Sequence, residues 1–191
     1  MVLIGAQFCA QNAFSAEPVP EKGRQVLTTT LRPPGNSAGP AVKIVYEAVV
    51  YETPEVVPTS GQSTWDPRTP ESSFRASFLA NKSGNADLIV RGFAPAEQEK
   101  IRGMVSKKDM LEKNTSLYSR ILKCQLLQKT FYGDYVILTA FNEDNTGKSW
   151  RSHYAMKNTP EGWLLSNDLA SDKVYGQLLD MISVNPAART N

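Results

Sequence analysis

Histidine and cysteine are nearly absent from this chain: 191 residues hold one histidine and two cysteines. A metal centre of the common kind needs three or four well-placed ligands, so His153 and an isolated cysteine supply too few, and neither metal nor cofactor is expected. If Cys9 leaves with a leader segment, Cys124 remains alone and no internal disulfide can form. Cys124 lies in the apolar run at residues 121–124 and reads as a buried, inert thiol. The residues before Cys9, Ala6-Gln7-Phe8, make a poor lipoprotein signal. There is no G-x-S-x-G nucleophile motif, no glycine-rich phosphate loop and no internal repeat. Glu143-Asp144-Asn145 reads as a hairpin turn rather than a calcium loop. An excess of either charge is missing too, with 21 basic against 19 acidic residues. Nucleic-acid binders carry a basic stripe. Here the densest cluster, Lys107-Lys108, runs straight into Asp109 and Glu112, which reads as a solvated helix face.

What is present begins at the N-terminus. Residues 2–16 carry no charge and include Leu3, Ile4, Phe8 and Phe14. Fifteen residues cannot span a bilayer, but they suit a signal-peptide core, and Ala13-Phe14-Ser15 offers the small-x-small pattern for cleavage. Residues 1–15 therefore read as a signal peptide truncated of its basic start, which implies a periplasmic or secreted protein with no stable membrane span in the mature chain. The alternative is an apolar N-terminal strand. Residues 16–24 form a lead-in, residues 25–185 a single domain, and residues 186–191 a tail.

Residues 25–31 and 42–51 predict strands, the second by alternation of Val42, Ile44, Tyr46, Ala48 and Val50. Residues 53–68, with three prolines, read as a long loop. Thr69-Pro70-Glu71 predicts a helix start, and Phe74 and Phe78 share one face. Gly84 stops that helix, Asn85 caps a short second, and Pro95 opens a third through Met104. Ser106 and Asp109 predict a capping pair for a fourth, ending near Asn114. Four strands follow at 117–127, 130–142, 147–157 and 162–167, with turns at Gln128-Lys129, 143–146 and 158–161, and a bulge or bend at Gly133. Short connections make these an antiparallel meander. Val174, Leu178, Met181 and Ile182 predict a closing helix. Helices followed by an antiparallel run specify an α+β fold.

Three segments carry a family resemblance: Pro70-Glu71-Ser72-Ser73-Phe74 opening a helix, Tyr132-Gly133-Asp134-Tyr135-Val136-Ile137-Leu138, and Glu161-Gly162-Trp163-Leu164-Leu165-Ser166-Asn167 closing the sheet. Over residues 69–167 the chain resembles the nuclear-transport-factor-two-like (cystatin-like α+β) superfamily. The resemblance implies a cone-like curved antiparallel sheet packed on N-terminal helices, here with an added N-terminal strand pair and a C-terminal helix. It also implies a pocket between sheet and helices, and such pockets serve isomerases, dehydratases and non-catalytic binding or assembly modules alike. Several periplasmic assembly domains of bacterial secretion machinery look similar.

For a binding module the expected pocket residues are Phe74, Phe78, Tyr135, Arg151, His153 and Trp163, and core packing competes for the aromatic ones. The partner is then a small apolar ligand or another protein, and a sheet of this kind allows a homodimer through it. Trp65, in the proline-rich loop, is a candidate interface anchor. The competing reading is an isomerase- or dehydratase-type enzyme using His153 as general base with Asp134 or Asp168 orienting it. Alternation sets His153, Ser149, Arg151 and Ala155 on one face of their strand and Trp150, Ser152, Tyr154 and Met156 on the other. The aromatic set makes the better core lining, so non-catalytic binding is the favoured expectation.

Overall fold

The structure is a computed structural model that describes residues 23–31 and 42–184. The signal-peptide reading, most of the lead-in and the tail at 186–191 lie outside the described residues. Six strands form one antiparallel sheet in sequence order, β1 (Arg24–Leu31), β2 (Val42–Val57), β3 (Ile121–Tyr132), β4 (Tyr135–Asp144), β5 (Ser149–Thr159) and β6 (Gly162–Leu165). Four helices, α1 (Pro70–Ser83), α2 (Ala86–Arg91), α3 (Pro95–Val105) and α4 (Lys108–Ser119), come between β2 and β3, and α5 (Lys173–Val184) closes the chain. This is the α+β architecture the element order specifies.

Helix α1 begins where its chemistry requires. The Thr69 hydroxyl accepts from the Ser72 backbone N–H at 3.1 Å while the Ser72 hydroxyl accepts from the Thr69 N–H at 3.2 Å, a reciprocal cap. Pro70 fills the first turn, where its missing N–H costs nothing, and Gly84 takes the left-handed conformation (φ 65°) that ends the helix. Its buried face sets Phe74 and Phe78 against Leu126, Val136, Leu138 and Met156 of the sheet. On the opposite face Leu178 and Ile182 of α5 cover Tyr46, Ala48 and Ile137. The sheet is thus packed on both sides, by α1 on one and α5 on the other.

Several boundaries differ from the sequence expectation; β3, for one, starts at Ile121 rather than at 117. β2 runs on to Val57, through Pro54, because the β2–β3 register shifts between Val50 and Glu55 and a proline there loses no ladder bond. Ser106 ends α3 rather than capping α4, which starts from Lys107 without a side-chain cap and extends to Ser119. The first hairpin of the meander turns at Gly133-Asp134, not Gln128-Lys129. Tyr132 pairs with Tyr135 across a two-residue loop whose first position, Gly133, has φ 55°. Gln128 and Lys129 instead lie inside β3, beside a bulge. Leu126 pairs with Ala140 and Gln128 with Thr139, leaving Leu127 as the extra residue.

That bulge reverses the alternation of β3. Before it, Cys124 and Leu126 face α1; after it, Lys129 and Phe131 do, while Gln128 and Thr130 turn to the α5 side, joined by a 2.8 Å hydrogen bond. At the other end of the sheet, β6 is not a bare edge. The Trp163 N–H donates to the Pro67 carbonyl at 2.8 Å, and Leu165 exchanges backbone hydrogen bonds with Gly92 and Ala94.

Candidate functional site

The face of the sheet that carries α1 opens into a pocket of about 500 Å³ at the helix N-terminus. Its apolar walls are Trp163 of β6, Phe131 of β3 and Val136 of β4; its polar side comes from Tyr51 and Glu55 of β2, Lys129, and Arg68, Glu71 and Arg75 around the start of α1. The β3 bulge is what aims Lys129 here. Its ammonium donates to Glu71 Oε1 at 2.7 Å, with the two side chains only 7% and 12% exposed. The Tyr51 hydroxyl donates to the same oxygen at 2.6 Å.

Burial pushes the Glu71 carboxyl up, but the hydrogen bonds from Lys129 and Tyr51 and the lysine charge outweigh it and hold the group below its ordinary range. Its place in the first turn of α1 adds a favourable helix dipole. Arg75 is paired with Glu55. Arg68 grips Asp66 through two nitrogens, at 2.8 and 2.9 Å, and those hydrogen bonds bring the Asp66 carboxyl down to about 2. Every cation of the pocket is therefore matched by a protein carboxylate.

The residues expected from the sequence divide among three places. Phe74 and Phe78 are 2% and 1% exposed and belong to the core, Phe74 against Tyr154 with ring centres 4.5 Å apart. Trp163 packs on that core but is half-buried, so it is a pocket wall rather than a sealed core residue. Tyr135, Arg151 and His153 point to the opposite face of the sheet. There the Tyr135 hydroxyl and the Lys157 ammonium both donate to Asp168 Oδ2 at 2.7 Å, and the Ser166 hydroxyl donates to Oδ1 at 2.6 Å. Burial, the largest single influence, pushes the Asp168 carboxyl up, but the hydrogen bonds from Lys157, Ser166 and Tyr135 and the lysine charge together outweigh it and bring it down to about 2.

Asp134 is an exposed turn residue. His153 Nδ1 lies 3.1 Å from the Thr139 hydroxyl, and burial, then the Arg151 charge, depress its pKa. It borders a second cleft of about 370 Å³ with Tyr154, Ser166, Leu169 and Tyr175, and no acidic residue is among the described residues lining it. Trp65 is half-buried, with the Arg91 guanidinium 5.3 Å above its ring. Among the described residues no group of three or more His, Cys, Asp or Glu is placed to hold a metal ion, and no helix is long and apolar enough to cross a membrane.

The Lys129–Glu71–Tyr51 cluster escaped the sequence reading. Its one sequence signal is Leu126-Leu127, two adjacent apolar residues that break the strand's alternation and betray the bulge.

No family model matches the chain, and no curated protein does. A solved structure similar in fold is the solution structure of a SEC-C motif containing protein from Rhodopseudomonas palustris. It has 15% sequence identity and a TM-score of 0.40, over 55% of this chain and 80% of that one. At that distance it has no bearing on the pocket.

Proposed function

We propose that this chain is a non-catalytic binding module of the nuclear-transport-factor-two-like kind, working in the periplasm or outside the cell, and that its ligand occupies the pocket beneath Trp163. The observation that carries this is the pairing of an aromatic-walled pocket of about 500 Å³ with a nearly buried, fully paired Lys129–Glu71 centre. That volume falls in the range of small-molecule sites. A ligand anion would have to displace a carboxylate already in place, which costs more than it returns in a desolvated site. The favoured ligand is neutral, with a flat apolar body for Trp163 and Phe131 and one hydrogen-bonding group for the Tyr51–Glu71 side. The enzyme alternative is the weaker one, because His153 faces away from this pocket and Asp168 is already engaged by three donors.

The test is calorimetric titration with 2-naphthol, a neutral fused ring with one hydroxyl. One-site saturable binding with a negative heat-capacity change is expected, weakened about tenfold in Trp163→Leu. Heats that never saturate, or an affinity indifferent to Trp163→Leu, would sink the proposal.

A further inference from the structure

The helical layer holds a further opening, separate from the Trp163 pocket. α3 and α4 cover their apolar faces only in part: α3 buries Ile101 alone, and α4 buries no residue fully, although Val105, Leu111 and Tyr118 pack against the neighbouring clusters. An amphipathic helix ordinarily hides its apolar stripe. Here Met104 is 42%, Met110 39% and Leu117 57% exposed, all three around one groove of about 320 Å³ floored by Ile89, Phe93 and Ile101. Large apolar side chains gathered at one place on a surface mark a binding site more often than scattered ones do. Unbranched methionines suit a wall that adjusts to its guest.

The polar groups of the groove are few and unequal. Asn114 Nδ2 donates to Asn81 Oδ1 at 2.7 Å, and Asn81 Nδ2 donates to the Ser77 carbonyl at 2.7 Å, so the Asn81 amide is already used. Lys113 is the one charged side chain among the described lining residues. Its contact with Asp109 is 4.0 Å long between side chains 78% and 70% exposed, a solvent-screened pair that holds it weakly.

We propose that this groove is a ligand site for a small amphipathic anion: an apolar body in the cleft, its carboxylate or sulfonate on Lys113. Size sets the body. A dry apolar cavity of about 150 Å³ takes one benzene ring, so this groove suits two rings or an acyl chain of similar bulk. Lys113, the single charged side chain among the described lining residues, sets the charge.

Two fluorescent probes with the same body separate these elements: 1-anilinonaphthalene-8-sulfonate and its uncharged analogue N-phenyl-1-naphthylamine. On the folded parent the sulfonate should bind one-to-one and more tightly than the neutral probe. Lys113→Glu should weaken the sulfonate about tenfold and leave the neutral probe within about twofold. The rim pair Met104→Glu with Met110→Glu should abolish sulfonate binding with an unchanged circular dichroism spectrum, whereas the neutral probe keeps access to the Trp163 pocket. Trp163→Leu should leave sulfonate binding unaltered, which separates this site from the naphthol pocket. Sulfonate affinity indifferent to Lys113→Glu, or lost only in Trp163→Leu, would overturn the proposal.

Discussion

The Lys129–Glu71 pair gives the sharpest energetic test. At 2.7 Å, with the effective dielectric of about 20 that suits such sites, the gross attraction is about 6 kcal/mol. Most of that offsets the cost of removing both charges from water, so the net contribution of the intact pair is small. Breaking it from one side is different. Glu71→Gln leaves an ammonium that is 7% exposed facing a neutral amide, and the expected loss is about 3–5 kcal/mol. Lys129→Met leaves a carboxylate that still receives the Tyr51 hydroxyl and can take up a proton, so its loss belongs near the lower end of that range. The double variant should lose clearly less than the sum, with a coupling of about 2–3 kcal/mol, since neither charge is then stranded. Urea unfolding of the four proteins at pH 7 measures this cycle.

The pH dependence follows from the direction of the Glu71 shift. Its folded pKa lies below the ordinary value of 4.5, so the stabilisation is present above that pH and is lost as pH falls through the folded value. The gap between parent and Glu71→Gln should therefore close in acid. Single variants within about 0.5 kcal/mol of the parent, adding without coupling, would refute the reasoning.

His153 has a depressed folded pKa, so the unfolded chain takes up its proton first and stability should fall as pH drops below about 6.5. The fall in urea midpoint between pH 7.5 and 5.5 should be smaller in His153→Gln. Gly162 has φ 105°, and a Cβ there would come within 2.5 Å of the Pro67 carbonyl oxygen. Gly162→Ala should cost about 2 kcal/mol or more by loosening β6 from the loop before α1, read as a lower melting temperature. Burial pushes the Cys124 thiol up to about 12, so the native protein should react with a disulfide reagent only as fast as it unfolds. A prompt native reaction would place Cys124 elsewhere than in the core.

Local chemistry made α1 legible from end to end: Thr69, Pro70 and Gly84 are signals that act within a few residues, and nothing distant competes with them. The closing helix was legible for the same reason, since Leu178 and Ile182 repeat at helical spacing. β3 was not. Its turn was displaced to Gln128-Lys129 because polar residues after Leu126-Leu127 look like a loop, whereas a bulge keeps the strand going with its faces exchanged. The site inherited that difficulty. Lys129 reaches Glu71 across 58 residues of sequence and only through the changed phase of β3, so no short motif announces the pair. Phe74 and Phe78 sat on the expected helix face, but the face was core, and periodicity alone cannot separate a buried wall from a ligand wall. Alternation sets His153 and Arg151 opposite the aromatic side chains of β5, so the same alternation that pairs His153 with Thr139 keeps both out of the Trp163 pocket in which they were expected.

The pocket under Trp163 is proposed to take a neutral flat ligand. Amide-detected NMR of the isotope-labelled chain titrated with 2-naphthol tests it residue by residue. Saturable shifts of the Trp163 indole N–H and of the Tyr51, Lys129 and Phe131 amides are expected, and they should persist unchanged when the α3/α4 groove is blocked by Met104→Glu with Met110→Glu. Shifts confined to α3 and α4, or to the surroundings of His153, would contradict it.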